Sequence, residues 1–392
     1  MCCHQTARKF RRWESLTRQR RSPTVVSARQ RRRGNKKMVI RIEHDDNEHL
    51  IPVHLVGSIP LASANDVFDL VGRTLSNCCR RFPDGETGER KNWIGWQLGV
   101  FAGQWALIQS ERKDRDYQLH PPFTFRPNYG PDDLSFNDLG FAREASSSFT
   151  VFGKKQTAGV LPENAKFLVA LPTPFAPVYS FTTYTIQDQV FQVYESAILS
   201  ELGAICEMIP PEKLSIQWDV ATEMSIFEGV YSAPIEDPWK TLMARLSRLG
   251  NAVPEEVDMG YHLCYGSMNN RHWKEPDDLG MCIKVANELK KTVSRQINFL
   301  HMPVPVDRVD DDYYEPLLDI ELDPSTEVFL GLLHDTDSAN GNVSRLSIAS
   351  KYLREFGIAS ECGLGRREPK DMVKIIEHHA ELSRQAHKTL TR

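Results

Sequence analysis

The stretch Val257-Asp258-Met259-Gly260-Tyr261-His262-Leu263-Cys264-Tyr265 decides how this chain is read. It is a largely apolar run of strand length with His262 and Cys264 toward its C-terminal end. Successive side chains on a strand point to opposite faces, so His262 and Cys264 share one. A helical pattern follows, over Leu279 to Thr292. The same unit repeats along the chain. Strands are predicted at His54 to Pro60, Lys166 to Leu171, Leu214 to Asp219, Ile297 to His301, Glu327 to Leu333 and Ile358 to Cys362. Helices are predicted at Asn65 to Arg80, Gln187 to Met208, Trp239 to Leu249, Val343 to Phe356 and Lys370 to Leu390. In the first helix Val67, Leu70, Val71 and Leu75 form one stripe.

Strands alternating with helices, without a second shift of composition, indicate a β/α barrel or a doubly wound sheet. No Gly-x-Gly-x-x-Gly follows the first strand, so a dinucleotide fold lacks support. Ser58, Asp219, His262, Cys264, His301 and Cys362 all fall at strand ends, and in a β/α barrel those ends form one rim where active sites sit. The expected fold class is α/β, a single (β/α)8 TIM barrel over residues 38–392, with residues 1–37 as a disordered basic extension. The Pro-, Asp- and Ser-rich region 110–165 is expected to be a long excursion over the rim.

Composition agrees with this. The chain has 392 residues, 41% hydrophobic and 26% charged, in the range of globular proteins. No apolar run is long enough to cross a bilayer, so no membrane partner is expected. The net charge of −4 hides a split: residues 1–37 hold thirteen Lys or Arg and one acid, Glu14, and the remainder carries a charge of −16. An acidic body gives no reason to expect a nucleic-acid partner. For the basic tail three readings stand: a mitochondrial presequence, a nucleic-acid or nuclear-import tail, and a disordered extension preceding a domain that opens at Met38. The last is preferred, because patterned sequence begins only at Val39-Ile40-Arg41-Ile42.

Eight cysteines without framework spacing do not suggest disulfides. A reducing, cytoplasmic setting is the simplest expectation, with a mitochondrial one as the alternative. It leaves Cys264 and Cys362 available as thiolates. Taken alone, His262 and Cys264 are better explained by a core histidine and a buried thiol than by a zinc site. Joined by Cys362, from Ser360-Glu361-Cys362-Gly363-Leu364-Gly365-Arg366-Arg367, they supply the donor types of a zinc site.

Five motifs in chain order resemble the catalytic barrel of cobalamin-independent methionine synthase and its superfamily. Val56-Gly57-Ser58-Ile59-Pro60 looks like its first-strand Gly-Ser motif. Asp84-Gly85-Glu86-Thr87-Gly88-Glu89-Arg90 looks like its Gly-Glu motif, and Ile216-Gln217-Trp218-Asp219 its Ile-Gln-Ile-Asp strand. Tyr261-His262-Leu263-Cys264-Tyr265 is close to its zinc-binding His-x-Cys-Tyr, and Glu361-Cys362-Gly363-Leu364 to its Asp-Cys-Gly-Leu. The resemblance spans about residues 53–372 of one barrel, a span that a single β/α barrel fills.

The resemblance implies zinc bound by His262, Cys264 and Cys362, with His301 near the place of the family's glutamate ligand. It implies substrate binding at Ser58, Glu86 and Asp219, with Asp219 as counter-ion for a substrate ammonium. His334 is the nearest counterpart of the proton-relay histidine. Arg308, like Arg90 and the Arg366-Arg367 pair, is a candidate for a substrate carboxylate or phosphate, each against a structural salt-bridge role. Asp219 has its own plainer reading as a buried capping carboxylate. Trp93, Trp96 and Trp105 read as core. The implied activity is zinc-dependent transfer of an alkyl group, methyl foremost, to a small thiol, with that thiol and an alkyl donor as partners.

The chain departs from the family's pattern in places. Val220-Ala221 follows Asp219 where methionine synthases have Glu-Pro. Leu333-His334-Asp335-Thr336-Asp337-Ser338 corresponds only loosely to their Asp-Ile-His-Ser-Pro-Arg loop. The family's additional N-terminal barrel has no counterpart, which puts a folate donor and homocysteine as acceptor in doubt. Two other readings stay open: a metal-free lyase like uroporphyrinogen decarboxylase, and a metal-binding barrel without catalysis.

Overall fold

The computed structural model describes residues 50–390, apart from 112, 114–119 and 269–270. The basic extension 1–37 and the opening segment 38–49 lie outside the described residues.

Eight parallel strands form one sheet: β1 (Val53–His54), β2 (Arg81–Pro83), β3 (Lys166–Pro172), β4 (Leu214–Val220), β5 (Asp258–Leu263), β6 (Phe299–Pro303), β7 (Glu327–Leu333) and β8 (Gly357–Ser360). From β2 to β8 each strand pairs with its neighbour in chain order, and β8 also pairs with β1. The two edges meet through the bridges Val53–Cys79 and Ser58–Gly85. The result is a nearly closed α/β barrel of the TIM type. Long helices follow seven of the strands, and after β6 a single turn, Asp311–Tyr314, takes the place of a helix.

The helix Ala64–Leu75 shows why such units form. Ser63 caps its N-terminus by accepting from the Asp66 N–H. Ala64, Val67, Phe68, Val71, Gly72 and Leu75 are buried at helical spacing. Each large apolar side chain so covered contributes about 1.5–3 kcal/mol. The sequence bounds of Gln187–Met208 and Glu327–Leu333 coincide with those observed.

Along the barrel axis the inward-facing residues form layers. At the N-terminal end Arg81 pairs with Asp258 and Glu327, and Lys166 with Asp258. Above them lie Leu168, Phe299 and Phe329, with Arg81 stacked on Phe299 at 4.3 Å and His54 against both Phe rings. A Cβ at Gly260 would collide with Phe299, so glycine is what lets this layer form. Next come His54 and Gln217, whose side chains bond at 2.8 Å, and the chain reaches the rim at Asp219 and His262.

Three expectations need correction. The first strand is regular only over Val53–His54; beyond it the Gly57-Ser58 turn keeps a single bridge. The helix expected at Val343 to Phe356 is Ala339–Tyr352, capped by Ser338, because Asn340-Gly341, which reads as a turn, is inside it. Region 110–165 is not one loop. Its second half is the outer helix Phe141–Thr157, with Phe141, Ala145, Ser148 and Phe152 buried. The excursion instead follows β2 and runs to residue 140. It contains the 3-10 segment Gly88–Gln97 and an antiparallel hairpin of Leu107–Gln109 with Phe123–Phe125.

Candidate metal centre

β5 and β8 are separated by two strands in the sheet, yet their C-terminal ends converge across the barrel mouth. His262 is the last inward residue of β5, Cys264 follows on the same face, and Cys362 lies two residues beyond β8. One donor atom from each lies within 4.8 Å of the others, and they are the only such group of three among the described residues. Cys264 Sγ is 3.5 Å from Cys362 Sγ, and Cys362 Sγ is 3.7 Å from His262 Nε2. Tetrahedral zinc with bonds of about 2.3 Å to sulfur and 2.0–2.1 Å to nitrogen would set such pairs about 3.8 and 3.6 Å apart. The donor set and spacing therefore fit a zinc ion.

The hydrogen bonds behind His262 favour the same conclusion. The Ser360 carbonyl can only accept, so His301 Nε2–H donates to it at 3.1 Å. Burial, reinforced by His262 and His54, holds His301 well below the usual imidazole pKa, so it is neutral and its Nδ1 has a lone pair. His262 Nδ1–H then donates to His301 Nδ1 at 2.7 Å, leaving Nε2 turned to the cysteines. Without a metal, burial disfavours the His262 cation, but the Cys362 partner outweighs this and its pKa is raised. The bond from Cys264 holds Cys362 well below the ordinary thiol range against the effect of burial, and Cys264 is held correspondingly above it. An imidazole and two thiols thus share protons that a cation would displace.

The cluster opens into a cavity of about 450 Å³ whose wall includes Ser58, Glu86, Trp93, Asp219 and Arg366. Asp219 Oδ1 accepts from Gln217 Nε2 at 2.9 Å. Burial pushes its carboxyl up to about 6, opposed by His262 and by hydrogen bonds from Gln217 and Trp93. Burial, then Asp219 and Asp84, raise Glu86 well above the carboxylate range. A buried carboxyl, Asp219, and a half-buried one, Glu86, thus face one cavity. Asp84 itself is tied to Arg90 at 2.8 Å and Ser148 at 2.6 Å.

Glu86 and Trp93 have positive φ, 47° and 57°, and Trp93 combines it with a ψ of −114°. A non-glycine residue in that region stores strain, which concentrates at functional sites. Trp93 is the residue that sequence reasoning missed: it is not core but cavity wall. Its position after the Gly-Glu loop was the available signal. Trp96 packs on the core and Trp105 is 73% exposed.

The structure separates the expected site residues into two sets. Ser58, Glu86, Asp219, His262, Cys264 and Cys362 share the cavity. His301 stands behind His262 with both ring nitrogens engaged, which removes it from the ligand set in this arrangement. Arg308 and His334 are not on the cavity wall. Arg308 donates to the Pro276 carbonyl at 2.8 Å and stacks on Tyr313, and His334 Nε2–H donates to the Val304 carbonyl at 2.8 Å. The loops after β6 and β7 are filled by such contacts, so the cavity lies over the other strands.

No protein-family model and no curated protein matches the chain. Among solved structures, it is similar to a B12-independent methionine synthase from Shewanella sp. W3-18-1 in complex with selenomethionine, at 17% identity and a TM-score of 0.55, covering 86% of this chain and 97% of that one. A candidate vitamin-B12-independent methionine synthase from Listeria monocytogenes is matched at 13% identity and a TM-score of 0.48, over 86% and 98% of the two chains. A methyltransferase from Methanosarcina mazei is matched at 11% and 0.49, over 85% and 94%. What this chain shares with the Shewanella protein is the fold. The His/Cys/Cys cluster is a candidate metal site at the mouth of that barrel.

Proposed function

We propose that this protein is a zinc-dependent transferase that moves an alkyl group, methyl foremost, onto a small thiol. The observation that carries the reading is the convergence of His262, Cys264 and Cys362 on one point of a cavity large enough for two small substrates. Zinc held there would supply a Lewis acid that deprotonates a thiol at neutral pH. Thiolate ligands suit a soft sulfur substrate.

The protein's own groups do the rest. Asp219, fixed by Gln217 and Trp93, and Glu86 beside it accept hydrogen bonds from a substrate ammonium, whose charge relieves their mutual repulsion. This places the sulfur of an amino-thiol toward the cluster. His301 keeps His262 in the ligating tautomer and is a positioning residue. The small-molecule thiol and the alkyl donor are the proposed partners.

Metal analysis of purified protein tests the first half: one zinc per chain is expected, lost in Cys264→Ser and Cys362→Ser. Cobalt substitution tests the second half, because an accepted thiol shifts the sulfur-to-cobalt charge-transfer band. Protein purified without chelators that carries no zinc would favour the metal-free lyase reading. Stoichiometric zinc with a spectrum that no thiol alters would favour a barrel without this catalysis.

A further inference from the structure

Each sulfur of the cluster has its own polar neighbour. The Gly266 N–H reaches Cys264 Sγ at 3.3 Å. Cys362 Sγ and Ser267 Oγ lie 3.5 Å apart, a pair in which a metal-bound thiolate could only accept and the hydroxyl would donate, and that hydroxyl oxygen has Arg366 Nη1 at 2.6 Å. A guanidinium can only donate. Ser267 Oγ must therefore accept from Arg366, which leaves the hydroxyl proton free to point at the Cys362 sulfur. The hydrogen bond at the sulfur is thus polarised by a full positive charge one atom further back.

The chain is folded locally to make this arrangement. Arg366 comes four residues after Cys362, and the intervening Gly363-Leu364-Gly365 turn brings it back toward the cysteine. The Leu364 N–H donates to the Ser58 carbonyl at 2.7 Å, and the Gly365 N–H to Ser58 Oγ at 3.1 Å. A Cβ at Gly363 would collide with Ser58, and one at Gly365 with the Lys91 carbonyl. Ser58 therefore holds the turn that presents Arg366. The neighbouring Arg367 points elsewhere, to Asp335 at 2.9 Å.

We propose that Arg366 acts through the Ser267 hydroxyl on the Cys362 sulfur, as a positioning residue that fixes this ligand's direction and draws electron density from it. The inference rests on the metal-centre reading above. It also reassigns Arg366 from a substrate-carboxylate candidate to a partner of the metal ligand. A donor on a metal-bound sulfur lowers the energy of its lone pair, so removing it moves sulfur-to-metal charge transfer to lower energy. Partners behind metal ligands are commonly worth 10–100-fold in metal affinity.

The test uses the full-length, cobalt-substituted protein and a double-mutant cycle. Ser267→Ala should shift the charge-transfer band to the red and weaken cobalt affinity by about tenfold. Arg366→Met should do the same in smaller measure. The double variant should match Ser267→Ala alone, because an indirect effect vanishes with its intermediary. Ser267→Thr, which retains the hydroxyl, should keep the parent spectrum, and Arg367→Met, which removes equal charge outside the relay, should leave it unmoved. Additive shifts, or an equal shift in Arg367→Met, would overturn the relay in favour of a general field effect. A cobalt–thiolate band that is present but insensitive to Ser267→Ala overturns this inference alone. Absence of any such band in the parent protein overturns the metal reading together with it.

Discussion

His262 and His301 face each other through their Nδ1 atoms at 2.7 Å, one ring donating and the other accepting. The direction is set from behind, by the Ser360 carbonyl that claims the Nε2 proton of His301. His301→Ala should therefore lower zinc affinity by 10–100-fold, while one zinc per chain is still bound at saturating metal. Competition with a colorimetric chelator measures this. Loss of all binding would mean that His301 itself ligates.

Asp219 gives the chain a pH signature. Its carboxyl, pushed from an ordinary value of 3.8 to about 6, binds a proton more tightly in the folded than in the unfolded chain. Its contribution to stability is therefore lost as pH rises through that window, and is fully present below it. Asp219→Asn should be more stable than the parent at pH 7.5, and the difference should shrink as pH falls toward 4. Urea denaturation at several pH values checks the convergence. In the same variant, KM for an amino-thiol should rise with zinc content unchanged.

Trp93→Phe keeps an aromatic wall and drops the indole N–H that reaches Asp219. Hydrogen bonds to charged groups are worth about 1.5–3 kcal/mol, so binding of an amino-thiol should weaken by at least about tenfold. An alkanethiol of equal length should be affected much less. The ratio of the two dissociation constants, read from the cobalt spectrum, is the measurement. Equal weakening of both thiols would rule out a role through Asp219.

Gly365→Ala places a methyl group against the Lys91 carbonyl and Ser58. Overpacking at such a site costs about 1–3 kcal/mol, and the turn carrying Cys362 and Arg366 should shift with it. Denaturant unfolding should show the loss, with reduced metal retention beside it. Unchanged stability would mean the turn can relax without disturbing Ser58.

The barrel and the cluster were legible in the sequence because both rest on short-range rules. Alternation on a strand puts His262 and Cys264 on one face, and strand ends in a β/α barrel share a rim. What was not legible depends on packing between distant segments. The tautomer of His262 is decided by Ser360, the orientation of Arg366 by Ser58, and the exclusion of Arg308 and His334 by how the loops after β6 and β7 fill. Trp93 escaped because its φ and ψ are imposed by the fold around it. His301 shows the limit of positional correspondence: it occupies the expected strand, but two hydrogen bonds turn it from ligand into support.

The His/Cys/Cys cluster comes from the ends of β5 and β8, while one side of the cavity wall, including Trp93, comes from the single excursion after β2. That part of the wall is thus encoded apart from the cluster. A graft that exchanged residues 88–140 for another insertion would leave every cysteine and histidine of the cluster in place. The shape of that side of the cavity could then be varied by library screening with the metal centre, Asp219 and Glu86 held constant.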